Sequence, residues 1–97
     1  MSIFLMFGRY NPESLEGISA ERTEKAVEAI KRHGGDVKSM YAVMGEDDLV
    51  FTVDFPNSEA AMASSVELQK ITGITFRTSP VVEVEKFDRL VGKAEKI

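Results

Sequence analysis

The chain has 97 residues, 16 acids against 12 bases for a formal charge of −4, and no cysteine. A domain of this length buries a core without metal or disulfide staples, and the missing cysteines exclude disulfides, thiolate metal sites and cysteine nucleophiles. With Lys31-Arg32 the only adjacent basic pair, there is no basic stripe for nucleic acid or for an anionic membrane surface.

The first element is the apolar run Ile3-Phe4-Leu5-Met6-Phe7, inside "IFLMFGRY" (3–10). It is shorter than a signal peptide's apolar segment, lacks the preceding basic region, and is far below the length of a membrane span. Its shortness and aromatic content predict a strand buried on both faces, and the cytoplasm is the expected location. "NPESLEGIS" follows with Asn11-Pro12 as a turn signal, and then a helix from about Ser19 or Ala20 to His33. Ala26, Val27 and Ile30 give this helix its core stripe; Glu21, Arg22, Glu24, Lys25, Glu28, Lys31 and Arg32 cover its outside. Gly34-Gly35 stops it, because glycine takes the left-handed conformation at a helix end without steric cost.

"DVKSMYAVM" (36–44) and "LVFTVDF" (49–55) read as the second and third strands, and the short loop between them implies an antiparallel hairpin. Pro56-Asn57-Ser58 opens a second long helix, with Asn57 as cap and Glu59 favourably placed in the first turn. It runs to about Thr72 and ends at Gly73, and "ITFRTS" (74–79) is the fourth strand. In the tail, Phe87, Leu90, Val91 and Ala94 stand at helical spacing and predict a short amphipathic helix. The whole reads as a single domain over 1–97, a core of 1–80 with a C-terminal extension of 81–97.

The order strand, helix, strand, strand, helix, strand predicts an α+β fold: a ferredoxin-like βαββαβ antiparallel sheet of order 4-1-3-2 with helices on one face. The first strand is apolar at Ile3, Leu5 and Phe7 and again at Phe4 and Met6. Helices cover only one of those sets. Soluble monomers avoid a contiguous apolar patch, so a homodimer or higher oligomer is expected, with sheets packed face to face.

Two stretches, "GRYNPESLEGIS" (8–19) and "GGDVKSMYAVMGEDDLVFTVDFPNSEAA" (34–61), resemble the GYD-domain proteins, as does the helix between them. The resemblance extends to about residue 80 and rests on Gly8, Tyr10, Pro12 and Glu13, the Gly34-Gly35 pair, Tyr41, the loop from Gly45 to Asp48, and Pro56. It implies a small ferredoxin-like domain of the dimeric α+β barrel type, and it brings no reaction with it. Wider relatives of that architecture include cofactor-free monooxygenases, isomerases and ligand-binding regulators, an analogy at the level of fold. The chain departs from the family pattern at Asp47, which stands where the family's loop carries a tyrosine; the matching aspartate follows as Asp48.

Topology decides which side chains can meet. The first two strands run the same way, so the loop from Gly45 to Asp48 lies where the first strand ends, near Arg9 and Tyr10, with Arg77 in reach. His33 falls at the opposite end. The three acids Glu46, Asp47 and Asp48 have a reading as a cation site or carboxylate base, and a simpler one as a hairpin turn in which Asp48 bonds loop amides. Arg9 and Tyr10 would bind an anionic or phenolic ligand at a pocket mouth; alternatively Arg9 pairs with the loop acids and Tyr10 packs at the strand end. Tyr41 faces the helices or a partner sheet. His33 sits exposed at a helix C-terminus, where positive charge is welcome. Asp54, on an internal strand, needs a frayed end, a pairing across a dimer, or a cavity wall to offset its burial. The small-sided stretch "AAMASS" (60–65) either packs close to the sheet or leaves room for a ligand between helix and sheet, a cavity of Phe, Met and Val with Tyr and Arg at its rim.

The candidate ligand-binding residues are therefore Arg9, Tyr10, Tyr41, Asp48 and Arg77, with no catalytic group, metal ligand or cofactor expected. The favoured function is a non-enzymatic homo-oligomer that binds a small apolar ligand or a protein partner, with neither nucleic acid nor membrane as partner. The alternative is a cofactor-free enzyme, of monooxygenase or isomerase type, acting on an activated aromatic small molecule.

Overall fold

The computed structural model describes the backbone of residues 2–95 and the side chains of residues 2–92. Strand β1 (Ser2–Arg9) lies inside a four-stranded sheet. It pairs antiparallel with β3 (Leu49–Phe55) on one side and with β4 (Thr75–Pro80) on the other. Strand β2 (Asp36–Ala42) joins β3 as the outer strand. The order β2-β3-β1-β4 is the expected ferredoxin-like sheet read from its other edge.

Helices α2 (Ala20–Arg32) and α3 (Ser58–Thr72) cover one face of this sheet. Each begins where its side-chain cap dictates: Ser19 Oγ accepts from the Arg22 amide at 3.0 Å, and Asn57 Oδ1 accepts from the Ala60 amide at 2.8 Å. Such caps satisfy amides that the helix itself leaves without partners. Helix α3 ends at Gly73, which is left-handed at φ 76°.

The sheet's alternation decides what is buried. Phe4, Met6, Phe51, Val53 and Phe55 point at the helices and meet Ala26, Ala29 and Ile30 of α2 and Ala61 and Leu68 of α3. Phe4 and Phe55 meet edge to face, with centroids 5.7 Å apart. Full burial of each large side chain is worth about 1.5–3 kcal/mol, so this layer carries the fold. Ala29 belongs to the core stripe in place of Val27, which is only half-buried.

Two expectations about the elements need correction. The segment after β1 contains a five-residue helix, α1 (Pro12–Glu16), where a turn was expected. Asn11 caps it reciprocally: Oδ1 takes the Ser14 amide at 2.7 Å, and Ser14 Oγ takes the Asn11 amide at 2.8 Å. Five residues are too few for periodicity to register. Strand β2 stops at Ala42 rather than Met44, whose side chain is wholly exposed. The face of β1 turned from the helices is open in the protomer, as a single helical layer implies: Ile3 is 37% exposed, and Leu5 and Phe7 are half-buried.

Among the described residues helix α4 (Val84–Glu95) packs extensively against no other element. Its Lys86 and Arg89 line a cleft with Ser2 and Ile3. Phe87, Leu90 and Val91 remain largely exposed; the side chain of Ala94, the fourth member of the expected stripe, lies outside the described residues.

Candidate functional site

Two hollows lie near the end of β1, one on each face of the sheet. On the helix side, the N-terminal half of α2 stands off the sheet over a cavity of about 160 Å³. Its apolar wall is Met40 and Leu49, with Phe51, Ile74 and Phe76. Phe51 and Phe76 pack with centroids 5.3 Å apart. Tyr10, Ser19, Arg22, Thr23 and Thr72 supply its polar atoms, and Tyr41 borders it from the edge strand. An apolar hollow with a few convergent polar groups is the usual form of a small-molecule site.

Two contacts hold Arg22 in place. Its Nη1 donates to the Ser14 carbonyl at 2.5 Å, and its Cζ lies 5.7 Å from the Tyr10 ring centroid. Gly17 leaves room for this placement, since a Cβ there would approach Nη1 to 2.8 Å. Tyr10 is anchored in turn, because its backbone amide donates to Asp48 Oδ2 at 2.8 Å.

The acids of the loop diverge. Asp48 turns inward: besides taking the Tyr10 amide, its own amide donates to the Gly8 carbonyl at 2.8 Å and its carbonyl accepts from Val43 at 2.8 Å. Asp47 Oδ2 turns to the other sheet face and accepts from Arg77 Nη2 at 3.2 Å, while Glu46 is exposed. Among the described residues no group of three ligating side chains converges on a point.

The second hollow, on the open face, is lined by Phe7, Arg9, Glu46, Asp47, Thr75 and Arg77. Arg77 stacks on the Phe7 ring at 4.4 Å and pairs with Asp47. It is thus Arg77, rather than Arg9, that answers the loop acids among the described residues.

The five candidate residues consequently divide between the faces. Tyr10 and Tyr41 border the α2 cavity, Arg9 and Arg77 line the open-face hollow, and Asp48 ties the two regions together through the backbone. The cavity also lies elsewhere than sequence suggested. It sits beneath α2, and Thr72 is the only α3 residue lining it; the small-sided stretch of α3 packs close, with Ala61 and Ser64 buried. Arg22, read as part of the charged exterior, went unnoticed. Its position was the available signal, since a basic residue in the first turn of a helix opposes the positive end of the dipole and wants another reason to be there.

Away from these hollows, two charged clusters stabilise the scaffold. A bulge at Lys38 brings its Nζ to 2.7 Å from Asp36 Oδ2 and 3.7 Å from Asp54 Oδ2. Those carboxylates, Asp36 foremost, raise the lysine's pKa. Asp54 is therefore answered by a lysine of its own sheet, an arrangement outside the three considered from sequence. His33 is half-buried rather than exposed: its Nε2 lies 2.7 Å from Glu67 Oε1, and Arg32 pairs with the same carboxylate. His33 first, and then Arg32, hold Glu67 below its ordinary value of 4.5.

The sheet order and the single helical layer define a ferredoxin-like α+β domain. A leucine response regulatory protein of Mycobacterium tuberculosis shares this fold in its crystal structure, with a TM-score of 0.60 and 16% identity over 84% of this chain and 51% of that one. A crystal structure of a glutamate-to-alanine mutant matches equally, at TM-score 0.60 and 16% identity, over 84% and 50%. This chain spans about half the length of each, and at that identity the likeness is one of fold alone. No curated protein sequence matches significantly. The chain belongs to the GYD domain family, whose model matches residues 4–91 and so takes in most of α4.

Proposed function

We propose that this chain is a cytoplasmic, non-enzymatic homo-oligomer that binds a small, mostly apolar molecule in the cavity beneath α2. One observation carries the reading: an apolar hollow of about 160 Å³ under a helix that otherwise packs on the sheet. Tyr10 and Tyr41 serve as its rim, Asp48 as the brace that sets Tyr10, and Arg9 and Arg77 belong to the opposite face. Among the described residues no helix is long and apolar enough to cross a membrane.

Filling the cavity tests this. Ala26 is buried and lines it, so Ala26→Leu places a larger side chain in the ligand's space. Benzamide, a single neutral ring, is expected to raise the melting temperature of the native chain and to perturb amide resonances around Phe51 and Phe76. The same titration of the folded Ala26→Leu variant is expected to show neither effect. No response in the native chain, or an equal response in the variant, overturns the reading.

Self-association is assigned to the open sheet face, where Ile3, Leu5, Phe7 and Val50 stand together by register. A second copy of the same face supplies the apolar cover that one protomer lacks. A protein partner is the second reading, and it draws on the exposed Phe87, Leu90 and Val91 of α4. Sedimentation equilibrium separates the two. Leu5→Asp is expected to reduce the native assembly to protomers, whereas Leu90→Glu is expected to leave it intact. A native chain that sediments as protomers removes the oligomer.

A further inference from the structure

We propose that the molecule bound beneath α2 is a small carboxylate, its single ring or branched aliphatic body in the apolar cavity and its carboxylate on the guanidinium of Arg22. The inference rests on the binding reading above and names the chemistry that the cavity selects.

Arg22 is the only charged residue among those lining the cavity, and no carboxylate lines it. Arg32, Arg77 and Arg89 each meet an acid, whereas Arg9 and Arg22 have no acidic partner among the described residues, and of these two Arg22 alone lines the cavity. Its nearest anion equivalent is a backbone carbonyl, that of Ser14 at 2.5 Å. A guanidinium carries five N–H donors in a rigid fork. With Nη1 spent on Ser14, the rest of the fork remains for a planar anion, which it grips with two parallel bonds.

The position is prepared rather than incidental. The Ser14 carbonyl and the Tyr10 ring engage the guanidinium before any ligand arrives, and Gly17 leaves it room, which spares the side-chain ordering that binding otherwise costs. The residue also belongs to the first turn of α2, three positions after the Ser19 cap that takes its amide, with Glu21 in the same turn. There the aligned peptide dipoles add partial positive charge. Both fields favour an anion and oppose a cation.

Size limits the rest of the molecule. An apolar cavity of about 150 Å³ in another protein accepts benzene, and the present hollow is about 160 Å³. One ring, or a branched aliphatic chain of similar volume, fills it. The hydroxyls of Thr23 and Thr72 at its margin already donate to the Ser19 carbonyl at 3.2 Å and the Leu68 carbonyl at 2.6 Å, which leaves Arg22 as the polar group that selects the ligand.

Benzoate and benzamide have the same shape and differ in charge, so their comparison isolates the role of Arg22. In calorimetric titration at neutral pH the native chain is expected to bind benzoate about tenfold or more tightly than benzamide, the range for a charge-assisted bond. Arg22→Met is expected to abolish that preference while leaving benzamide affinity near its native level. Should Arg22→Met fail to fold, Gly17→Ala keeps the charge but displaces the guanidinium, and a selective loss of benzoate is again expected. Equal affinity for the two ligands in the native chain overturns the carboxylate inference and leaves the cavity reading standing. Benzoate preference that survives both substitutions overturns the role of Arg22. Absence of binding by either ligand removes the inference together with the reading beneath it.

Discussion

Helices α2 and α3 cover the same face of the sheet, yet one packs flush and the other does not. Helix α3 brings Ala61 and Ser64 down to the strands, buries Leu68 completely, and ties to β4 through Ser65 Oγ, 2.5 Å from Thr78 Oγ1. The fit is tight enough to leave the Ser64 hydroxyl buried without a partner, a cost of about 1–3 kcal/mol for an unmade hydrogen bond. Helix α2 buries Ala26, Ala29 and Ile30, while its first turn is tied to α1 by the bond from Arg22 to Ser14 and lines the hollow. Small side chains thus let α3 close on the sheet, and the end of α2 that carries Ser19, Arg22 and Thr23 leaves a gap.

Opposite responses to substitution follow from that contrast. Leu68→Ala in α3 removes a side chain with no exposed surface and is expected to cost about 2–5 kcal/mol in urea unfolding, the range for a core leucine that leaves a void. Ala26→Leu in α2 enlarges a buried residue by far more, yet it is expected to stay within about 1 kcal/mol of the native chain, because the added volume falls into existing space. A large loss from Ala26→Leu would mean that α2 is as tightly seated as α3. Glu67 of α3, bound to His33 and Arg32 at the end of α2, links the two helices. Its carboxyl is held below 4.5 in the folded chain, so the link's contribution is complete above that pH and disappears as pH falls through the lowered value. The difference in melting temperature between the native chain and Glu67→Gln is expected to be small near pH 6 and to close on acidification toward pH 3. A gap that widens in acid would reverse the assigned sign.

Sheet order, both long helices and the Asn57 cap were legible because each has a strong local cause. Asn57 and Ser19 precede apolar stripes, glycines follow them, and "LVFTVDF" alternates with a period of two. Helix α1 was masked because Asn-Pro signals a turn and a capping box alike. The cavity was harder to place. Small residues along α3 advertised space, but space depends on what the opposing surface does, and the contact between Arg22 and Ser14 beside the hollow is one that no periodicity records. Asp48 was readable in kind, as an acceptor of loop amides, whereas the partner of Asp47 depended on which arginine the pairing of β1 with β4 brought nearest. That register sets Arg77 opposite Phe7.

The free-standing α4 gives the protomer an outline of 54 × 29 × 18 Å and a radius of gyration of 15.2 Å, against about 12–13 Å for a globule of this length. Such a rod-like particle experiences more drag than its mass warrants. On a gel-filtration column a lone protomer would elute early and pass for a heavier species, so stoichiometry has to come from equilibrium sedimentation or light scattering, which weigh the particle irrespective of its outline.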